Sequence, residues 1–157
     1  VVHETYMRRC LALAEDSLQI GETPVGSLIV RGDRILGEGL EGTRTLLDPS
    51  AHAEVQAIRA ACRSEQTLDL SRSTLYTTVE PCVLCAYAIR RAKISTVVYG
   101  LPAGQAGGIT SRYDILADRD LAGWAPPPEI VAGVLAEECR EILTRRNSRP
   151  ERVLATA

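Results

Sequence analysis

The stretch TLYTTVEPCVLCAYAIRRAKISTVVYGL, residues 74–101, decides the fold. Residues 74–79 and 96–101 carry the β-branched and aromatic side chains that suit strands. Pro81 stops the first strand and opens a helix that carries Leu84, Ala88, Ile89 and Ala92. A strand, a helix and a strand in this order predict two parallel strands joined by a right-handed crossover. The same stretch holds Cys82 and Cys85 at the helix start. Three residues apart, they share a helix face and can grip one metal ion, and the positive end of the helix dipole favours their thiolates.

Working outward, Met7, Cys10, Leu11, Ala14 and Leu18 recur at helical spacing and predict an amphipathic helix over 4–20. Apolar runs at 25–30 and 34–40 flank Gly32-Asp33 and read as a β-hairpin, in which Gly37 and Gly39 mark close backbone approach. Residues 41–47 read as a loop. Asp48-Pro49-Ser50 then reads as the start of a helix, a capping residue followed by proline, with His52 and Glu54 in its first turns. Val55, Ile58, Ala61 and Cys62 supply its buried stripe. Beyond residue 101 come a glycine-rich loop at 102–108 and a segment at 111–123 that reads as irregular or as a short helix. Pro126-Pro127-Pro128 is an extended stop, followed by a short strand at 129–132, a helix at 135–146 and a flexible tail over 147–157. The sum is an α/β protein, a three-layer α-β-α sandwich with a central mixed five-stranded sheet, in a single domain spanning 1–157.

A chain of 157 residues, 45% hydrophobic and 24% charged, has enough material for one domain with a real core. Its formal net charge of −2 makes no global electrostatic case for nucleic acid or an anionic membrane. There is no apolar run of membrane-spanning length and no signal-peptide pattern at the start, so a cytoplasmic protein is expected. Five cysteines, an odd number at uneven spacings, fit a reducing compartment with Cys10, Cys62 and Cys139 as thiols on apolar helix faces.

The chain has two histidines, and His3 sits near its end, so an imidazole ligand to a metal falls to His52. His52, Cys82 and Cys85 make three good zinc ligands. Structural zinc sites fill four positions with protein, whereas catalytic sites supply three and leave one for water. Glu54, two residues after the histidine, is placed as a general base beside that water. A lone C-x-x-C also fits a redox pair or half a zinc finger, and a lone His-Ala-Glu occurs by chance. The combination of H-x-E with P-C-x-x-C is far more specific.

On these motifs the chain resembles the cytidine/nucleobase deaminase superfamily. It is most similar to the branch that holds tRNA adenosine deaminases, guanine deaminases and small cytosine deaminases. The resemblance rests on residues 22–26, 48–54, 74–82 and 133–139. It implies one Zn2+ per chain on His52, Cys82 and Cys85, a water made acidic by that zinc, and Glu54 as the proton shuttle to a ring nitrogen and then to the leaving amine. It also implies a homodimer. Backbone N–H groups near Ala53 and Cys82, free at helix starts, are expected to bind a substrate carbonyl.

The pattern departs from the branch at Glu41, where an asparagine that reads the base is usual. A pocket-facing carboxylate there would favour substrates rich in donors; the alternative is that Glu41 points to solvent. Glu80 reads as a substrate contact, as a support behind the ligands, or simply as a carboxylate at a strand end. Tyr113 and Trp124 lie where this family builds its pocket wall and either stack on a base or pack. The loss of the asparagine, the mixed Arg/Glu C-terminus and the lack of Phe there favour a free nucleobase or small amino-heterocycle over tRNA, which stays the alternative substrate. A zinc scaffold without catalysis is disfavoured, because it has no need of Glu54.

Overall fold

The computed structural model describes residues 1–121, 123 and 125–145. Five strands make one sheet: β1 (Gly26–Arg31), β2 (Arg34–Leu40), β3 (Thr74–Val79), β4 (Thr96–Leu101) and β5 (Glu129–Val131). Their spatial order is β2-β1-β3-β4-β5. β1 runs antiparallel to both β2 and β3, while β3, β4 and β5 are parallel. The β1–β2 hairpin turns at Gly32-Asp33, where Gly32 takes a positive φ of 66° that a side chain would resist. A shift in register between Ile29 and Val30 marks a bulge in that pair.

Helices cover both faces, so the expected three-layer α/β sandwich is what forms. Helix α1 (Val2–Gln19) and helix α4 (Ala136–Thr144) lie on one face, over Leu28, Val30, Tyr76 and Val98. Helix α2 (Ala53–Glu65) and helix α3 (Val83–Arg91) lie on the other, over Ile29, Leu75 and Val97. Neighbouring strand residues thus enter opposite cores, which is why β1, β3 and β4 are buried along nearly their whole length rather than at alternate residues. Burying each such aliphatic side chain contributes about 2 kcal/mol before entropy is counted. The glycines of β2 act as expected. A Cβ on Gly37 would lie 2.4 Å from the Ala61 nitrogen, and one on Gly39 would lie 2.2 Å from the Ala53 carbonyl oxygen. Their absence of side chains lets α2 sit directly on the strand.

Several local expectations are corrected. The helix anticipated at Asp48 begins at Ala53, because the Asp48 carboxylate accepts from the Ser50 N–H (2.8 Å) and hydroxyl (2.7 Å) and closes a turn of its own. Gly42 N–H also donates to the Ala51 carbonyl at 2.9 Å, which holds residue 51 in the loop. The described residues of 111–123 form turns, tied by Asp118 to the N–H groups of Asp120 and Leu121, with no helix among them. Cys10 and Cys139 are buried, but Cys62 is only partly so. The tail at 147–157 lies outside the described residues.

Candidate active site

Helices α2 and α3 pack on the same face of the sheet and begin near one another. His52 is the N-cap of α2 and Cys82 the N-cap of α3, both with extended backbones (φ −70°, ψ 155° and φ −70°, ψ 176°). Neither side chain caps its own helix, so both are free to turn toward each other. Cys85 follows one turn into α3. The His52 Nδ1 lies 3.4 Å from the Cys82 sulfur and 3.3 Å from the Cys85 sulfur. The three donor atoms all lie within 4.8 Å of one another. Around a tetrahedral zinc, nitrogen and sulfur ligands stand roughly 3.6 Å apart, given bonds of about 2.0 and 2.3 Å. The donor set therefore fits zinc in both chemistry and spacing, and its three members leave a fourth position for water. Hydrogen bonds from Cys85 and His52 outweigh burial and pull the Cys82 thiol well below its ordinary range, toward the thiolate a metal requires.

Glu54, in the first turn of α2, is 4% exposed and faces the same point. Its Oε2 lies 3.4 Å from the Cys85 sulfur. Its Oε1 accepts the Thr77 hydroxyl at 3.0 Å, and Thr77 in turn accepts the Ser27 hydroxyl at 2.8 Å. Burial pushes the Glu54 carboxyl up to about 7, against the hydrogen bonds it accepts. A carboxyl poised there can both take and give a proton near neutrality. Ser27 and Thr77 were not found from the sequence. The signal was weak: two small polar residues inside apolar strands, which face each other only once β1 and β3 pair.

Of the remaining sites, Glu41 is 9% exposed and turned inward rather than to solvent. Burial raises its carboxyl, while His52, the Thr43 side chain and the Ala53 N–H pull it back. Glu80, 2% exposed, turns its carboxylate into the loop that follows β4. Its hydrogen bonds go to Ala103, Ile109 and Thr110 of that loop. Tyr113 is 45% exposed, with the Arg112 guanidinium 4.6 Å over its ring. With Gly104, Gln105, Thr110 and Ser111 they line a cavity of about 670 Å³ beside that loop. Trp124 lies outside the described residues.

This arrangement has known counterparts. The sequence profile of the cytidine and deoxycytidylate deaminase zinc-binding region matches residues 1–101. The chain belongs to that deaminase family. Zinc is accordingly its cofactor, with His52, Cys82 and Cys85 positioned as the site. Within the family, the chain is 39% identical over 142 residues to the tRNA-specific adenosine deaminase of Haemophilus influenzae, covering 90% of this chain and 80% of that one. It is 37% identical over 138 residues to the tRNA-specific adenosine deaminase of Streptococcus pyogenes serotype M1, covering 88% and 79%. A solved structure from work on A-to-I editing by tRNA:A34 deaminases superposes with a TM-score of 0.82 at 30% identity, over 88% of this chain and 98% of that one. The guanine deaminase of Nitrosomonas europaea shares the fold, with a TM-score of 0.80 at 19% identity, over 93% and 85%.

These findings overturn the expectation of a free nucleobase or amino-heterocycle as substrate: the deaminases to which the chain is 36–39% identical are named for tRNA. Net charge misleads about the surface here, because it counts acids that the surface does not display. Among the described residues, Glu22, Glu41, Glu54 and Glu80 are buried, against one buried cation, Arg90. The outward balance is therefore more positive than −2 implies. No helix among the described residues is long and apolar enough to cross a membrane.

Proposed function

We propose that this deaminase converts adenosine to inosine in tRNA, at the wobble position of the anticodon. The observation that carries this reading is the 39% identity to a tRNA-specific adenosine deaminase across 90% of the chain. The local geometry supports it, since all three ligand side chains and Glu54 converge on one point. Zinc held there would supply the Lewis acidity that brings the attacking water's pKa toward neutrality. Glu54 takes the proton of that water and passes it to the ring nitrogen beside the amine-bearing carbon. Oxygen adds to that carbon; Glu54 then takes the remaining proton of the added hydroxyl and delivers it to the amine, the C–N bond breaks and ammonia leaves as the carbonyl forms. Thr77 holds Glu54 in line for both transfers.

Such a substrate implies a cytoplasmic enzyme. We expect the whole of 1–157 to act as one domain and to assemble as a homodimer, as the resemblance to its branch implies; light scattering on the purified protein checks the assembly. The function is tested by incubating zinc-loaded protein with an anticodon-arm RNA bearing adenosine at the wobble position and measuring inosine by mass spectrometry. Inosine is expected with the native chain and not with Glu54→Ala. A zinc-loaded native protein that leaves the RNA unchanged would sink the proposal.

A further inference from the structure

Each loop beside the metal centre is organised around one buried carboxylate. Glu80 stands at the end of β3, two residues before Cys82. Its Oε1 accepts the Ala103 N–H at 3.0 Å and the Thr110 hydroxyl at 2.6 Å. Its Oε2 accepts the Ile109 N–H at 2.9 Å and the Thr110 N–H at 2.8 Å. The loop passes so close that a Cβ on Gly107 would lie 2.2 Å from Oε2. It is also stitched to the zinc ligands, since Gly108 N–H donates to the Pro81 carbonyl at 2.8 Å and Gly107 bridges Cys82. On the other side, Glu22 lies 3% exposed just before β1. It accepts the N–H of Arg44 at 3.3 Å, the N–H of Thr45 at 2.5 Å and the Thr45 hydroxyl at 2.7 Å. That loop runs on to His52 and is closed at its far end by the Gly42–Ala51 bond.

We infer that Glu22 and Glu80 are a matched pair of positioning residues, each an all-acceptor hub that fixes one loop wall of the site for its RNA substrate. The chemistry requires carboxylates. An ionised carboxyl offers about four acceptor positions and no donor, which suits the four donors around Glu80. A glutamine would turn an NH2 group toward at least one backbone N–H, whichever way it flipped, and leave that donor unsatisfied. Both residues act through their loops, not on the base. Glu80 holds the segment that carries Arg112 and Tyr113 to the cavity wall; Glu22 holds the segment that carries exposed Arg44. Residues 103–113 and 42–50 lie outside the two buried hydrophobic clusters, apart from Ile109 at the edge of one. Loosening a hub therefore changes wall geometry more than it changes the core.

The RNA readout rests on the proposed function, so a second readout is kept free of it. Glu80→Gln and Glu22→Gln are compared with the native protein by peptide-resolved hydrogen exchange, zinc content and steady-state inosine formation. Expected are faster exchange at 103–113 in Glu80→Gln only and at 42–50 in Glu22→Gln only, with zinc content unchanged. KM for the anticodon-arm RNA should rise about tenfold, the loss of a charge-assisted hydrogen bond, with kcat little altered. Thr110→Val and Thr45→Val, which withdraw one donor each, should move the same readouts less far if a glutamine variant fails to fold. Unchanged exchange in both loops, or a fall in kcat that tracks lost zinc with KM constant, would overturn the inference. A native protein that makes no inosine would refute the substrate reading alone, and the exchange data would still decide the role of the hubs.

Discussion

A single imidazole joins two helix starts in this molecule. His52 Nδ1 reaches two sulfurs whose residues lie 30 and 33 positions away in the chain. Removing one sulfur leaves two ligands, too few for a closed grip on zinc. Cys85→Ser is therefore expected to lose most bound zinc and all inosine formation, checked by metal analysis beside the RNA assay; a variant with full zinc content would refute the assigned ligand set. Thr77 tests the other half of the site. Thr77→Val keeps the shape but takes a donor from Glu54 and an acceptor from Ser27. We expect kcat to fall about tenfold while KM and zinc content hold, because one hydrogen bond that orients the proton shuttle is gone. The ligands and Glu54 were legible in the sequence because residue type and spacing alone define their chemistry. The inward turn of Glu41 was not, since it depends on where the loop after β2 meets α2.

Helix α2 carries His52 at its cap and Glu54 in its first turn, so its seat on β2 sets the site. Gly39→Ala would place a Cβ 2.2 Å from the Ala53 carbonyl oxygen and 2.4 Å from the Ala57 nitrogen. The helix must lift, at an expected cost of about 3 kcal/mol, and lifting it separates His52 from the sulfurs. Urea unfolding and zinc affinity should both report the damage; unchanged values would mean that α2 is not seated by this contact. Strands β3 and β4 could be read to the residue, because β-branched runs and a following proline are local signals. The start of α2 could not. Asp48 and Pro49 look like a helix start, yet the Asp48 carboxylate satisfies Ser50 instead, and the helix waits until Ala53.

Across the whole molecule, charge decides how an RNA would be met. Exposed Arg44 and Arg112 stand on the two loops held by Glu22 and Glu80. If both meet phosphate, log K for the anticodon-arm RNA will fall linearly with log salt, and each of Arg44→Ala and Arg112→Ala will flatten that slope by about 1. Filter binding across a salt series measures this, and identical slopes in all three proteins would remove these arginines from the interface. From the sequence by itself came the strand–helix–strand core, the set of zinc ligands, Glu54 as the candidate general base and the membership of a deaminase family. These rest on short-range facts: backbone preference, helical spacing and ligand chemistry. Only the tertiary structure decided which acids are hidden, that Ser27 and Thr77 line up behind Glu54, and that Glu22 and Glu80 each gather a loop 20 to 30 residues away. Such groupings arise from packing two helices on one face of a sheet and from the need to satisfy buried backbone donors, and neither is written in any local stretch of the chain.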